Sequence, residues 1–223
     1  MDIGDCELEF LGHSGFSILC KEGKRIVIDP YDVSEGLEKA DILLITHSHY
    51  DHCSIEDIKK IIKEKTIVVM PADCQSKIAK LEGVEMQIAE VGDKINLGNV
   101  KIEAVAAYNV SKDFHPKSEG WLGYVVKVGN VIVYHAGDTD KIPEMQKLSG
   151  YGKRGNEFVA LLPVSGKFVM GVEEAVEAAS LISPDLCVPM HYGAGVAGTV
   201  DDAARFVELC KEKNINSKIM GKI

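Results

Sequence analysis

Ile45-Thr46-His47-Ser48-His49-Tyr50-Asp51-His52 gathers three histidines and an aspartate within six positions of a chain of 223 residues. The apolar run over residues 41–45 reads as a buried strand, and Ser54 followed by Ile55, Ile58, Ile61 and Ile62 reads as a helix. The cluster therefore belongs in a strand-to-helix turn. Leaving a strand end, His47 and His49 are two apart and project to one side, while Asp51 and His52 enter the next bend and aim at a neighbouring point. Neutral imidazoles and a carboxylate suit zinc, iron or manganese, and two adjacent ions can activate a water and clamp reacting oxygens. A surface cluster of polar residues is the alternative, but crowding such groups behind an apolar strand is costly without a partner.

At 223 residues the chain fits a single domain over 1–223, with enough length to bury a substantial core. Charged residues make up 26% and hydrophobic ones 46%, with mean hydropathy near zero, the profile of a soluble globular protein. The first residues, Met1-Asp2-Ile3-Gly4-Asp5, carry acid where a signal peptide needs base. No apolar run approaches the ~20 residues that cross a bilayer, so the expected location is cytoplasmic, without membrane insertion. The six cysteines (Cys6, Cys20, Cys53, Cys74, Cys187, Cys210) are scattered without a Cys-x-x-Cys pair and read as reduced thiols. Cys53 follows His52 directly; a small apolar role at the helix start and metal ligation are its two readings. A formal charge of −9 argues against nucleic acid as substrate, whereas two divalent cations would reverse the sign locally and leave small anionic substrates open.

Outward from the motif, residues 7–11, 16–19 and 25–29 read as three short strands before it, and 66–70 as a strand after its helix. Ser54 with Asp57 three positions on has the form of a capping box. Residues 73–81 suggest a weaker helix. From 84 the pattern turns to alternation over 84–88, 93–97 and 100–105, joined by glycine-containing turns, which reads as an antiparallel meander. Strands follow at 122–128, 131–135 and 158–162, then a helix over 172–182, a strand over 186–190 and a last helix starting near Thr199. The two halves share one plan, a meander followed by strand and helix units. That plan implies an α+β fold with two mixed sheets back to back and helices outside.

Three strands end in a candidate ligand: residue 45 precedes His47, His135 precedes Asp138, and Met190 precedes His191. Ligands at several strand ends of one sheet edge can converge on one pocket. The spacing His-x-His-x-Asp-His, a Gly137-Asp138-Thr139 step after a strand, and a late strand ending in His191 together resemble the metallo-β-lactamase superfamily of hydrolases over essentially the whole chain. Leu11-Gly12-His13-Ser14-Gly15-Phe16, Val27-Ile28-Asp29-Pro30, Tyr134-His135-Ala136 and Pro189-Met190-His191-Tyr192-Gly193 resemble a compact branch, the metal-dependent hydrolases related to the ascorbate-phosphate lactonases. The resemblance implies a four-layer αββα sandwich with two divalent ions, zinc foremost and manganese or iron as alternatives, in a groove at one edge. It implies His47 and His49 on the first metal, Asp51, His52 and His191 on the second, and Asp138 bridging both.

The first metal's third ligand is where the sequence departs from the superfamily pattern. A histidine is usual just past the strand at 102–108, yet position 109 is Asn109, and the nearest histidine is His115, whose backbone Pro116 restricts to an extended form. His115 and Asn109 are the two candidates. His13 reads as a hydrogen-bonded turn residue or as pocket rim, His135 as a satisfied core group, and Asp29 as a carboxylate orienting a ligand histidine. Lys112 and Lys117 read as solvated loop residues or as contacts for an anionic substrate, and Trp121 and Tyr192 as packing residues, Tyr192 being the better candidate of the two for a pocket wall. The expected chemistry is metal-assisted hydrolysis, with a hydroxide between two ions attacking an ester, lactone, amide or phosphodiester of a small molecule. Asp51 and His191 are the expected catalytic residues. A non-catalytic metal-binding protein is the rival; a di-iron oxidoreductase is a second, disfavoured because such relatives carry glutamate where His49 stands.

Overall fold

The computed structural model describes every residue except Glu22 and Arg154. One sheet takes its strands in chain order: β1 (Asp2–Ile3), β2 (Cys6–Gly12), β3 (Gly15–Cys20), β4 (Arg25–Ile28), β5 (Ile42–Leu44), β6 (Ile67–Met70) and β7 (Glu85–Ile88). The first four are antiparallel and the remainder parallel. Parallel neighbours need crossovers, and α1 (Ile55–Ile61) and α2 (Gln75–Ile78) lie in them. The second sheet holds β8 (Lys94–Leu97), β9 (Val100–Ala106), β10 (Leu122–Val128), β11 (Val131–His135), β12 (Glu157–Pro163) and β13 (Leu186–Met190), with β8 and β13 at its edges. It repeats the plan of the first, antiparallel through β11 and then parallel, with α3 (Val172–Ile182) between β12 and β13 and α4 (Val200–Glu212) after them.

Strand periodicity sorts the apolar residues into layers. Ile26, Ile28, Ile42, Leu44 and Val69 join the large core that reaches the second sheet, while Val27, Leu43, Ile45, Val68 and Met70 join a smaller one with Ile58, Ile61 and Ile78 from α1 and α2. On the other side α3 and α4 pack against β12 and β13. The result is the expected αββα sandwich.

Two local readings are corrected. Residues 84–88 are not the first strand of the meander: β7 pairs parallel with β6, Ile67 opposite Glu85 and Met70 opposite Ile88, and the meander starts at β8. β7 is the sheet's outer edge, with Glu85, Met86 and Ile88 exposed, so its alternation carries no inward apolar face that would assign it to a sheet. The capping box at α1 is only half made. Ser54 Oγ accepts from the Asp57 amide at 3.4 Å and donates to the Asp57 carboxylate at 2.6 Å, but that carboxylate takes the Asp32 and Val33 amides at 3.0 and 3.2 Å in place of the Ser54 amide. It ties the helix start to the loop after β4.

Candidate metal centre

Six strand ends meet at one edge of the sandwich. β2 leads to His13, β4 to Asp29, β5 to His47 through His52, β9 to the loop carrying His115, β11 to Asp138, and β13 to His191. Hydrogen bonds to backbone carbonyls pin the two sheets together here: the Leu122 amide donates to Thr46 O at 3.0 Å, the Tyr124 hydroxyl to Ile45 O at 2.8 Å, and the His191 amide to His13 O at 2.7 Å. His13 (φ 53°), Asp29 (φ 45°) and His191 (φ 62°) all adopt left-handed backbone, which costs of order 1–3 kcal/mol each and is retained where surroundings enforce it. Gly137 shows why glycine precedes Asp138. At φ 65° a β-carbon there would lie 2.5 Å from Leu122 O.

Each central histidine uses one ring nitrogen for support. Nδ1 of His52 lies 2.8 Å from Asp29 Oδ2, Nδ1 of His47 2.9 Å from Thr46 Oγ1, and Nδ1 of His191 2.9 Å from Ser165 Oγ. His115 Nδ1 faces Phe168 O and Asn109 Oδ1, both at 3.1 Å. With Nδ1 as the donor, Nε2 of all four presents a lone pair inward. His49 instead turns Nδ1 toward the centre, 3.0 Å from His47 Nε2.

Asp138 stands between two groups. Its Oδ2 is 3.2 Å from His115 Nε2, 4.0 Å from His47 Nε2 and 3.1 Å from His191 Nε2, and its Oδ1 is 3.2 Å from His52 Nε2. Asp51 Oδ2 is 3.0 Å from His13 Nε2, 3.5 Å from His52 Nε2 and 3.8 Å from His191 Nε2. Donor atoms bound at ~2.1 Å to one tetrahedral ion sit ~3.4 Å apart, so these spacings are those of ligand sets. Among the described residues, three sets have donor atoms within 4.8 Å of one another: His47, His49 and His115; His47, His52 and Asp138; and His13, Asp51, His52 and His191. Nε2 of His52, His115 and His191 and Oδ1 of Asp138 are buried and make no hydrogen bond. Four orphaned polar atoms clustered around Asp138, from imidazoles and a carboxylate, fit divalent metal.

The electrostatics of His47, His49, Asp51 and Asp138 agree with this composition. Burial, then the neighbouring His52, hold His47 well below the usual histidine range, and burial and His115 lower His49. Both rings are thus favoured in the neutral form that a metal would require. Burial alone would raise the Asp138 carboxyl, but His191 and His52 outweigh it and hold the group well below the usual range. Asp51 is likewise depressed, burial being overcome by its bonds to His13 and His52.

A family model described as the beta-lactamase superfamily domain matches residues 7–191. The chain belongs to the metallo-β-lactamase superfamily. It is 34% identical over 188 residues to a UPF0173 metal-dependent hydrolase of Thermoplasma acidophilum, covering 81% of this chain and 80% of the relative. Its identity to a UPF0173 metal-dependent hydrolase of Nanoarchaeum equitans is 30%, over 97% of both chains. The crystal structure of a metal-dependent hydrolase from Parabacteroides distasonis superposes with a TM-score of 0.82 at 29% identity, covering 96% of this chain and 92% of that one. The protein is accordingly a metal-dependent hydrolase of this superfamily.

Where the sequence departs from the superfamily pattern, the structure brings His115 rather than Asn109 to His47 and His49. Asn109 holds the loop instead. Its Oδ1 accepts from the His115 amide at 3.0 Å, its amide donates to His115 O at 2.7 Å, and its Nδ2 donates to Asp140 Oδ1 at 3.1 Å. Asp140 also takes the Val110 and Ser111 amides at 2.8 and 3.1 Å and the Lys112 ammonium. Lys112 is therefore an internal partner, and Lys117 bonds Glu144 at 2.9 Å. Trp121 does more than pack: its ring lies 4.9 and 4.8 Å from those of His47 and His49, while its Nε1 donates to Asp73 at 2.7 Å. Tyr192 packs, as the sequence suggested, and does not line the cavity over the centre. It is buried in the main core, stacked 5.7 Å from Phe10, because the left-handed turn at His191 sends the next side chain inward. His135 is a buried group bonded to Ser14 O at 2.8 Å, and Cys53 lies in the smaller core. His13, read from sequence as turn or rim, joins the Asp51 set; its flanking glycines were the one signal of an unusual backbone there.

Proposed function

We propose that this hydrolase works with a dinuclear centre. His47, His49 and His115 hold one ion, Asp51, His52 and His191 hold the other with His13 beside them, and Asp138 serves both. The observation that carries this is Asp138, whose two oxygens face His47, His115, His191 and His52 at 3.1–4.0 Å. The nitrogen-rich donor set favours zinc. Two divalent ions bound there would supply a hydroxide nucleophile at neutral pH and polarise the oxygen of a scissile carbonyl or phosphoryl group.

The chain's own residues set the stage for hydrolysis of a small ester, lactone or phosphodiester. Asp51 and His191 line the cavity, where they would orient the attacking water, and His13 fixes the Asp51 carboxylate through the 3.0 Å contact. Asp29 steers His52 while taking the Thr46 amide at 2.8 Å, and Trp121 packs its ring against buried His47 and against His49, whose other side is open to solvent. The proposed compartment is the cytoplasm, supported by six buried cysteines that form no disulfide. No helix among the described residues is long and apolar enough to cross a membrane.

The test pairs metal analysis with turnover of a generic aryl ester, a lactone and an aryl phosphodiester. About two divalent ions per chain are expected at saturation, with one lost and turnover reduced at least 100-fold in His52→Ala. A metal-replete protein that cleaves none of the three substrates would overturn the reading.

A further inference from the structure

Resting on the hydrolase reading above, we infer that the centre takes an uncharged carboxylic ester or lactone bearing an apolar or aromatic substituent, in preference to a phosphate ester. The cavity over the metal centre has a volume of about 230 Å³, and its walls beyond the histidines and aspartates are Tyr50, Phe114, Phe168 and Val196. Tyr50 is 61% and Phe114 50% exposed, although large apolar side chains elsewhere in the chain are mostly packed away. They are held in place rather than dangling. Phe114 meets Phe168 edge to face at 4.7 Å, and Tyr50 meets Tyr31 at 5.8 Å. Apolar groups kept wet at the entrance to a polar centre mark a surface that gains by being covered.

Charge points the same way. No lysine or arginine is among the described residues lining this cavity, whose ionisable walls are histidines and the carboxylates Asp51 and Asp138. Of the nearby cations, Lys112 is paired with Asp140 and Lys77 donates to Ser48 O at 2.5 Å, while Lys167 lies over the ring of Phe168 at 4.7 Å and does not itself line the cavity. A phosphate monoester or diester brings charge that is normally met by such groups. Beyond the ions themselves, nothing in these walls meets it. A neutral acyl group needs only the ions for its oxygen and apolar walls for its substituent. In the reaction, water oxygen bonds to the acyl carbon, the bond from that carbon to the leaving oxygen breaks, and the products are the alcohol, the carboxylate and a proton.

The test uses the metal-loaded protein with two series. p-Nitrophenyl acetate, butyrate and hexanoate are compared with bis(p-nitrophenyl) phosphate, and acetohydroxamate, hexanohydroxamate and benzohydroxamate are compared in binding by calorimetry. Each methylene covered by the walls adds about fourfold, so kcat/KM and hydroxamate affinity rise together along the chain-length series until the cavity is full. Phe114→Ala and Phe168→Ala flatten both slopes, and Phe114→Leu largely restores them. Turnover of the phosphodiester above the esters, or flat series in the unaltered protein, overturns the inference alone. Failure of metal-loaded protein to cleave any of these substrates overturns the hydrolase reading and the inference with it.

Discussion

Asn109 stands where superfamily members usually carry a ligand histidine, and its side chain acts one step removed, by fixing both the backbone and the ring of His115. Removing it leaves the ligand in a loop with fewer restraints. Asn109→Ala is expected to weaken one of two metal-binding steps by about 10–100-fold, the usual cost of losing a group that orients a ligand, and to spare the other step. Titration against a competing chelator reads this directly; equal loss at both steps would count against it. The cluster from His47 to His52 was legible because all its members lie in one turn, where spacing alone fixes direction. The roles of Asn109 and His13 were not legible. One depends on Asp140, delivered by another strand end, and the other on Asp51 and His191, whose meeting with the first glycine turn requires both sheets to be assembled.

Among the elements, α1 has the closest bearing on the centre because it begins immediately after His52, and its start is moored by Asp57. Burial pushes that carboxyl up, but the Ser54 hydroxyl, the Asp32 and Val33 amides and the Lys60 ammonium outweigh it and hold it below the usual range. A carboxyl depressed in the folded state contributes its stability in full above its unfolded value of about 3.9 and loses it as pH falls through the folded value. Asp57→Asn is therefore expected to cost about 1–3 kcal/mol at pH 7, and the gap from the parent protein to close below about pH 4. Denaturation midpoints across pH 2–8 test it; a gap that persists in acid would show that the charge is immaterial. Elements with a buried face were readable from period alone, β5 and β6 among them. β7 was misjudged because an edge strand with exposed side chains gives period two without saying which neighbour it pairs with.

On the scale of the molecule, the donor groups come from both sheets. His47 to His52 leave the first, whereas His115, Asp138 and His191 leave the second. Bound metal thus joins the two layers and should raise the stability of the whole: free ion at 100 times Kd adds about 2.7 kcal/mol, a midpoint shift of roughly 5–10 °C for a chain of this size. Thermal denaturation with zinc and with excess chelator measures it, and coincident curves would refute it. The sandwich was visible in the sequence because each half repeats meander and then strand with helix. The contact between halves was not, since side chains that meet across two sheets leave no common period. One further consequence lies in the bond from the His191 amide to His13 O. It makes the first glycine turn and the last strand a single mechanical body, although nearly the whole chain separates them in sequence. Changes at those two turns should therefore be epistatic: once one is released, releasing the other removes little more.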